Sequence, residues 1–287
     1  MKKEKYKEIV VPSESRLFLN KSIKKNYPEL RKKLRTNPKV QFNKALAIKR
    51  LNLIKKLLQN KKGKVLDIGC GAGYLTAFLN KNKIQSYGVE PDNNSFLAGQ
   101  KLLKKNKINP GRIIKKSGEN FSFNTKFDLI VSFQVIEHVR NPKKVFQQSY
   151  KYLKKNGKLY FIIPNYHSFW EGHYEIFWIP WLNKKTAKIY LKLLGKKSDL
   201  VNELQFITPA KIRKIVHVSG FQLLGMGKEK FKQRMDRAHF NIYNSNNRLS
   251  VFLPILKIFK KLRLNSFICW LCLKLDFYYP IIVYASK

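Results

Sequence analysis

A short apolar run ending in three alternating glycines leaves this chain few folds to choose from. Val65-Leu66-Asp67-Ile68-Gly69-Cys70-Gly71-Ala72-Gly73-Tyr74 reads as a buried strand, a tight turn and a helix that continues to about Asn80. Glycine lets the backbone turn sharply and approach a ligand where a Cβ would block it. The spacing departs from the G-x-G-x-x-G of a dinucleotide fold, whose third glycine would fall at Tyr74. Asp67 stands at the strand end, two residues before the first glycine. An acid there suits a ligand carrying cationic nitrogen or sulfur, not a pyrophosphate.

From this turn onward, strand and helix patterns alternate, the signature of a parallel sheet. A helix from about Asn43 to Leu58 places Leu46, Ile48, Leu51, Leu53, Ile54, Leu57 and Leu58 at helical spacing and leads into the first strand at Lys64. The second strand is expected at Ser86–Glu90, with a helix from about Asn94 to Lys105. The third is expected at Ile113–Lys116 and the fourth at Asp128–Phe133. Asn141-Pro142 opens the next helix, Asn156-Gly157 is expected to end it, and Lys158–Ile163 forms strand five. Thr208-Pro209 caps a helix that stops at Ser219-Gly220, strand six follows at Phe221–Met226, and Tyr279–Ala285 is the last strand.

The glycine turn resembles the first motif of the class I S-adenosylmethionine methyltransferases, D-x-G-x-G-x-G after a hydrophobic strand. Four further stretches continue the resemblance in order over roughly residues 45–165. Tyr87-Gly88-Val89-Glu90-Pro91-Asp92 looks like the second strand ending in the ribose-binding acid. Ser117-Gly118-Glu119-Asn120 looks like the loop that edges the adenine, and Phe127-Asp128-Leu129-Ile130-Val131-Ser132 like the fourth strand. Gln134-Val135-Ile136-Glu137-His138-Val139 is similar to the post-strand motif of the branch that includes ubiquinone-biosynthesis and sugar or lipid methyltransferases. The resemblance implies a Rossmann-like α/β fold with a seven-stranded, mostly parallel sheet, an antiparallel last strand and helices on both faces. It implies S-adenosylmethionine as cofactor. Asp67, Gly69, Cys70, Gly71, Gly73 and Tyr74 would form its methionine-end cradle, and Glu90, Pro91 and Asp92 its ribose site. Glu119 and Asn120 would flank the adenine, and Gln134 and Val135 would close over the methionyl part.

Composition bounds the partners. The 287 residues suffice for a full core, and a hydrophobic fraction of 44% marks a globular chain. The net charge of +42 reads either as attraction to an anionic membrane or nucleic acid, or as a surface on which Lys is the default residue. Cys70, Cys269 and Cys272 are too few and too scattered for a disulfide framework. No signal peptide is visible at the N-terminus, so a cytoplasmic location is expected, with a peripheral place on the inner membrane face as the further reading.

The expected organisation is a basic helical segment over residues 1–60 and a methyltransferase domain over 61–287. Two insertions interrupt the domain. The first, 165–205, carries Tyr166, His167, Phe169, Trp170, His173, Tyr174, Phe177, Trp178 and Trp181 after strand five. It suits a lid over a substrate, a membrane-interface belt, or a small satellite core. The second, 228–276, is apolar and helical. Its residues 249–274 either lie in an interfacial plane or extend the core, since no charge-free run reaches the length that spans a bilayer.

A hydroxyl acceptor needs a base, because an alcohol attacks poorly while it holds its proton. His138 is the leading candidate beside Glu137, with His167 and His173 of the lid as rivals. In some members of the resembling branch E-x-x-E-H binds a divalent metal. Here Gln134 replaces the first acid, and no tight metal site is expected. The functions this leaves are O-methylation of a small, glycan or lipid-linked acceptor near a membrane, RNA methylation drawn by the charge, or a non-catalytic S-adenosylmethionine-binding scaffold. The oligomeric state is open.

Overall fold

The structure is a computed structural model that describes residues 6–10, 43–236 and 265–287. The elements are α1 (Lys44–Leu57), β1 (Lys64–Ile68), α2 (Tyr74–Lys81), β2 (Gln85–Val89), α3 (Asn93–Lys105), β3 (Ile113–Ile114), β4 (Phe127–Phe133), α4 (Pro142–Tyr152) and β5 (Leu153–Ile163). They continue with β6 (Trp170–Glu171), β7 (Ile176–Phe177), α5 (Lys184–Leu193), α6 (Leu200–Glu203), α7 (Pro209–Val218), β8 (Gln222–Gly225), α8 (Lys228–Asp236), α9 (Asn265–Lys274) and β9 (Ile281–Ser286).

Seven strands form one sheet in the order β3-β2-β1-β4-β5-β9-β8. The first five run parallel, and β9 lies antiparallel between β5 and β8. Side chains alternate across the strands. Leu66, Ile68, Ile130, Leu159, Phe161 and Val283 enter one core under α4 and α7. Val65, Leu129, Val131, Tyr160 and Ile282 enter the other under α1, α2 and α3. Each such side chain contributes roughly 1.5–3 kcal/mol by leaving water.

The caps read from the sequence form. Asn43, Asn141 and Thr208 accept the backbone N–H groups of Leu46, Lys144 and Lys211 at the starts of α1, α4 and α7. One boundary differs. The helix expected to stop at Asn156-Gly157 ends at Tyr152, where Leu153 turns extended and pairs with Phe127. Leu153 is fully buried, so packing ends the helix early, and Asn156, at φ 64°, is a bend within β5.

Residues 6–10 run past the C-terminal ends of α2 and α3. Lys7 exchanges backbone hydrogen bonds with the amide of Asn82, and Val10 does so with Asn106. Asn82 and Asn106 are the C-caps of α2 and α3. Helices that follow parallel strands end at the edge opposite the carboxyl ends of the strands, so this stretch lies away from the glycine turn after β1. The rest of the N-terminal segment, and the apolar run Leu249–Phe259, lie outside the described residues.

Candidate active site

The cradle forms where β1 ends. Gly69, Gly71 and Gly73 all adopt positive φ, at 72°, 55° and 70°. A Cβ on Gly69 would run into the Val135 methyls, whereas one on Gly71 would meet nothing within 4 Å. The open side of the turn is therefore at Gly71, and Val135 packs against Gly69. Glu90, at the end of β2, accepts the Gly71 N–H at 2.8 Å and the Asp92 N–H at 2.9 Å. Two carboxylates so close to one turn repel each other. Burial, helped by Glu90 and opposed by Arg50, pushes the Asp67 carboxyl up to about 7. Burial also raises Glu90, against the two N–H groups that it accepts.

Several expected cofactor residues have other work. Cys70 and Tyr74 pack against the core under α1 to α3, so at these two positions it is backbone that borders the turn. Asp92 caps α3 by accepting the Ser95 N–H, and Pro91 is exposed. Asn120 folds back onto Ser117, and Glu119 accepts the Asn141 N–H at 3.2 Å. A short polar side chain in a turn bonds its own backbone readily, which explains these assignments.

Arg50 was not singled out from the sequence. It projects from α1 with its guanidinium 4.1 Å from the Phe133 ring centroid, and burial lowers its pKa while the Asp67 charge raises it. The only available signal was an Arg among lysines on a helix preceding β1. It adds a cation to the mouth of a cradle otherwise lined by acids.

The second cluster follows β4. Gln134 sits at φ 57°, a left-handed backbone costly for a non-glycine residue, and its N–H donates to Ile162 at 2.8 Å. The chain then brings in Glu137, which is fully buried and receives no hydrogen bond from another residue at either oxygen. His138 Nε2 lies 3.9 Å from Glu137 Oε1 and 3.1 Å from His173 Nε2. His173 stands in the turn between β6 and β7, and its Nδ1 lies 2.7 Å from Glu171 Oε1. The other Glu171 oxygen accepts the Tyr174 N–H at 2.7 Å, and Tyr166 Oη donates to Oε1 at 3.3 Å. Gly172 lets this hairpin approach Tyr279, since a Cβ would fall 2.9 Å from the Tyr279 Oη.

The charges sort themselves. Burial raises Glu137 to about 7, against its own N–H and His173. Burial and the neighbouring His173 push His138 down to about 4. Burial alone would lower His173, but the Glu171 hydrogen bond and charge, with Glu137 behind, raise it. A proton on this pair therefore rests on His173. Glu171 lay unremarked among the aromatics of the lid. An acid two residues before a histidine was the available signal.

His167 is not part of this cluster. Its ring meets the edge of Trp181 at 6.1 Å, and burial lowers its pKa against the charge of Asp276. The lid has a core of its own, built from Tyr166, Tyr174, Trp178, Ala187, Leu191, Val201 and Leu204. Its stems are tied down by the Gln205 N–H to the Glu137 carbonyl at 2.6 Å and the Tyr166 N–H to Ile207 at 3.0 Å. Satellite core and lid are thus one object, with Phe169, Phe177, Ile179 and Trp181 left exposed on it.

Comparison with known proteins follows this geometry. Residues 41–225 match the family model described as "Methyltransferase domain". The ubiquinone biosynthesis O-methyltransferase of Pelagibacter ubique is 30% identical over 105 residues, covering 37% of this chain and 43% of that protein. The chloroplastic 2-methyl-6-phytyl-1,4-hydroquinone methyltransferase of Spinacia oleracea is 30% identical over 157 residues, covering 49% and 44%. This chain thus spans under half the length of these two relatives. The O-methyltransferase from a trans-AT polyketide synthase multienzyme of Brevibacillus brevis shares the fold at a TM-score of 0.51 and 17% identity, over 99% of this chain and 85% of that one. With its family match covering most of the chain and its strand order and glycine turn in place, the protein belongs to the methyltransferase-domain family.

Proposed function

We propose that the protein methylates a hydroxyl oxygen of a small, glycan or lipid-linked acceptor held near a membrane surface. The observation that carries this reading is the His138–His173 pair with Glu171 behind it, set on the loop that also places Val135 against the cofactor turn. The names of the relatives, one an O-methyltransferase of ubiquinone biosynthesis and one acting on a phytylated hydroquinone, support a hydroxylated and isoprenoid-bearing acceptor.

When bound, S-adenosylmethionine supplies a methyl group on a positively charged sulfur that leaves as a neutral thioether. Asp67 offers negative charge to the ammonium and sulfonium side of the cofactor, and Arg50 offers positive charge to its carboxylate. Glu90 would hold the ribose hydroxyls, its two oxygens suiting a vicinal diol. The His138–His173 pair would take the proton of the acceptor hydroxyl as the oxygen accepts the methyl group. Glu171 stabilises the resulting imidazolium. Alignment supplies most of the rate, the histidines a further factor of roughly 100 to 10,000.

The membrane part rests on the outer face of the lid. Ile189 and Leu193 of α5 are 61% and 81% exposed, and lysines 188, 192 and 196 stand beside them. Such a face pairs apolar insertion with attraction to anionic headgroups. Among the described residues no helix is long and apolar enough to cross a membrane.

The test is transfer of labelled methyl from S-adenosylmethionine into a fractionated lysate of the source organism, with Asp67→Ala as the control. Label in lipid or glycan that the variant abolishes supports the reading. Label in RNA replaces it with the reading drawn from the +42 charge. No label with cofactor binding intact points to a scaffold.

A further inference from the structure

Glu137 poses a problem that the proton-transfer reading leaves standing. A carboxylate with no exposed surface and no hydrogen bond from another residue is costly to keep ionised unless a cation meets it. Two imidazoles face it, and their Nε2 atoms point at each other across 3.1 Å. One donor atom from each of Glu137, His138 and His173 falls within 4.8 Å of the others.

We propose that Glu137, His138 and His173 bind one divalent transition-metal ion, with the lid supplying the third ligand. Metal–nitrogen bonds of about 2.0–2.1 Å set ligand nitrogens about 3.0–3.5 Å apart. The observed histidine separation already lies in that range, and Glu137, 3.9 Å from His138 Nε2, completes the set with a small shift. Glu171 has the place of the carboxylate that holds the far nitrogen of a metal-binding histidine, fixing the ring and directing the Nε2 lone pair inward. Its own second oxygen is fixed by the Tyr174 N–H, so the support is rigid.

The donor set says which ion. Two imidazoles and one carboxylate suit zinc, manganese or ferrous iron, whereas magnesium and calcium prefer all-oxygen sites. The set also differs from a site built within the post-β4 loop alone. Gln134 is exposed and contributes no donor to it, and a residue 35 positions away on the lid takes part instead. An ion here ties the lid to the sheet and leaves open positions for an acceptor oxygen, whose proton it makes easier to lose to solvent. This catalytic consequence rests on the O-methylation reading. The binding site does not.

The test uses the full, tag-free chain, stripped with chelator and titrated with Co²⁺ alone, followed by visible absorption and calorimetry. The expected result is one ion per chain with nitrogen and oxygen ligation. His173→Ala and Glu137→Gln should each abolish stoichiometric binding, and Glu171→Gln should weaken it 10- to 100-fold. Retained binding of S-adenosylhomocysteine shows that the variants are folded. A thiolate charge-transfer band that survives His173→Ala would put the ion on cysteine and overturn the proposal, as would less than one ion per chain at saturating Co²⁺. Stoichiometric binding alongside label found only in RNA keeps the site and removes the O-methylation reading. Oxygen methylation without metal binding does the reverse.

Discussion

Asp67 is a buried carboxyl whose ionised form costs the folded protein stability. Its folded pKa of about 7 lies above the ordinary 3.8. The carboxyl is therefore tolerated in full below about pH 4, and its contribution to stability is lost as pH rises through 7, because the unfolded chain ionises more readily. Asp67→Asn should raise the melting temperature of the cofactor-free protein at pH 8, by about 2–4 °C per kcal/mol recovered, and leave it unchanged at pH 4. The same variant should weaken S-adenosylmethionine binding at least about tenfold, since one charge contact at a partly buried site is worth more than about 1.4 kcal/mol. A cofactor-free melting temperature that falls at pH 8 would show that Asp67 is stabilising after all. At this scale the sequence was legible where a residue's placement depends on a turn or a strand end. Asp67, the three glycines and Glu90 could be read because a turn and a strand end fix them locally. Arg50 could not, because it acts on Asp67, which only the fold brings near. Glu171 bonds His173 only two residues away, but that pair stands out only once His138, 35 positions off, is brought against it. His167 and His173 were indistinguishable by composition, and the hairpin register of Trp170 with Phe177 and Glu171 with Ile176 is part of what separates them.

The elements divide into a sheet with its covering helices and a lid that packs separately. Six of the seven main strands were legible to within one or two residues, because burial on both faces leaves unbroken apolar runs. The end of α4 was not, since Asn-Gly signals a bend equally in a helix stop and in a strand. In the lid the sequence predicts the helix from Lys184 to Leu194, which forms as α5, but the hairpin of β6 and β7 has too few residues in alternating order to be read, and Trp178 is 1% exposed at the centre. Trp178→Ala should cost about 3–5 kcal/mol of local stability. Hydrogen exchange should then show faster amide exchange over residues 166–206 while β1, β4 and β5 keep their protection. Equal loss in both regions would mean that lid and sheet unfold as one unit.

At the scale of the whole molecule, charge and exposed apolar surface act together. With 59 basic and 17 acidic residues, long-range attraction to any polyanion is expected, and only local apolar contact distinguishes a membrane. The protein should sediment with vesicles rich in phosphatidylglycerol at low salt, less so as salt rises, and poorly with vesicles of phosphatidylcholine. Replacing Ile189 and Leu193 by Ser should reduce binding roughly tenfold or more without changing the charge, because two buried side chains contribute at least about 1.4 kcal/mol. Binding that is unaffected by the double variant would reduce the interaction to electrostatics.

The place of β9 between β5 and β8 sets a timetable for the chain as it leaves the ribosome. β5 and β8 can each emerge and meet their covering helices, but neither has its neighbour on that side until residues 281–286 are released. The cradle around Asp67, whose strands pair early in the chain, can form long before that. A nascent chain stalled before β9 would thus carry a cofactor site beside two open strand edges, and those edges are where chaperones and aggregation compete for it.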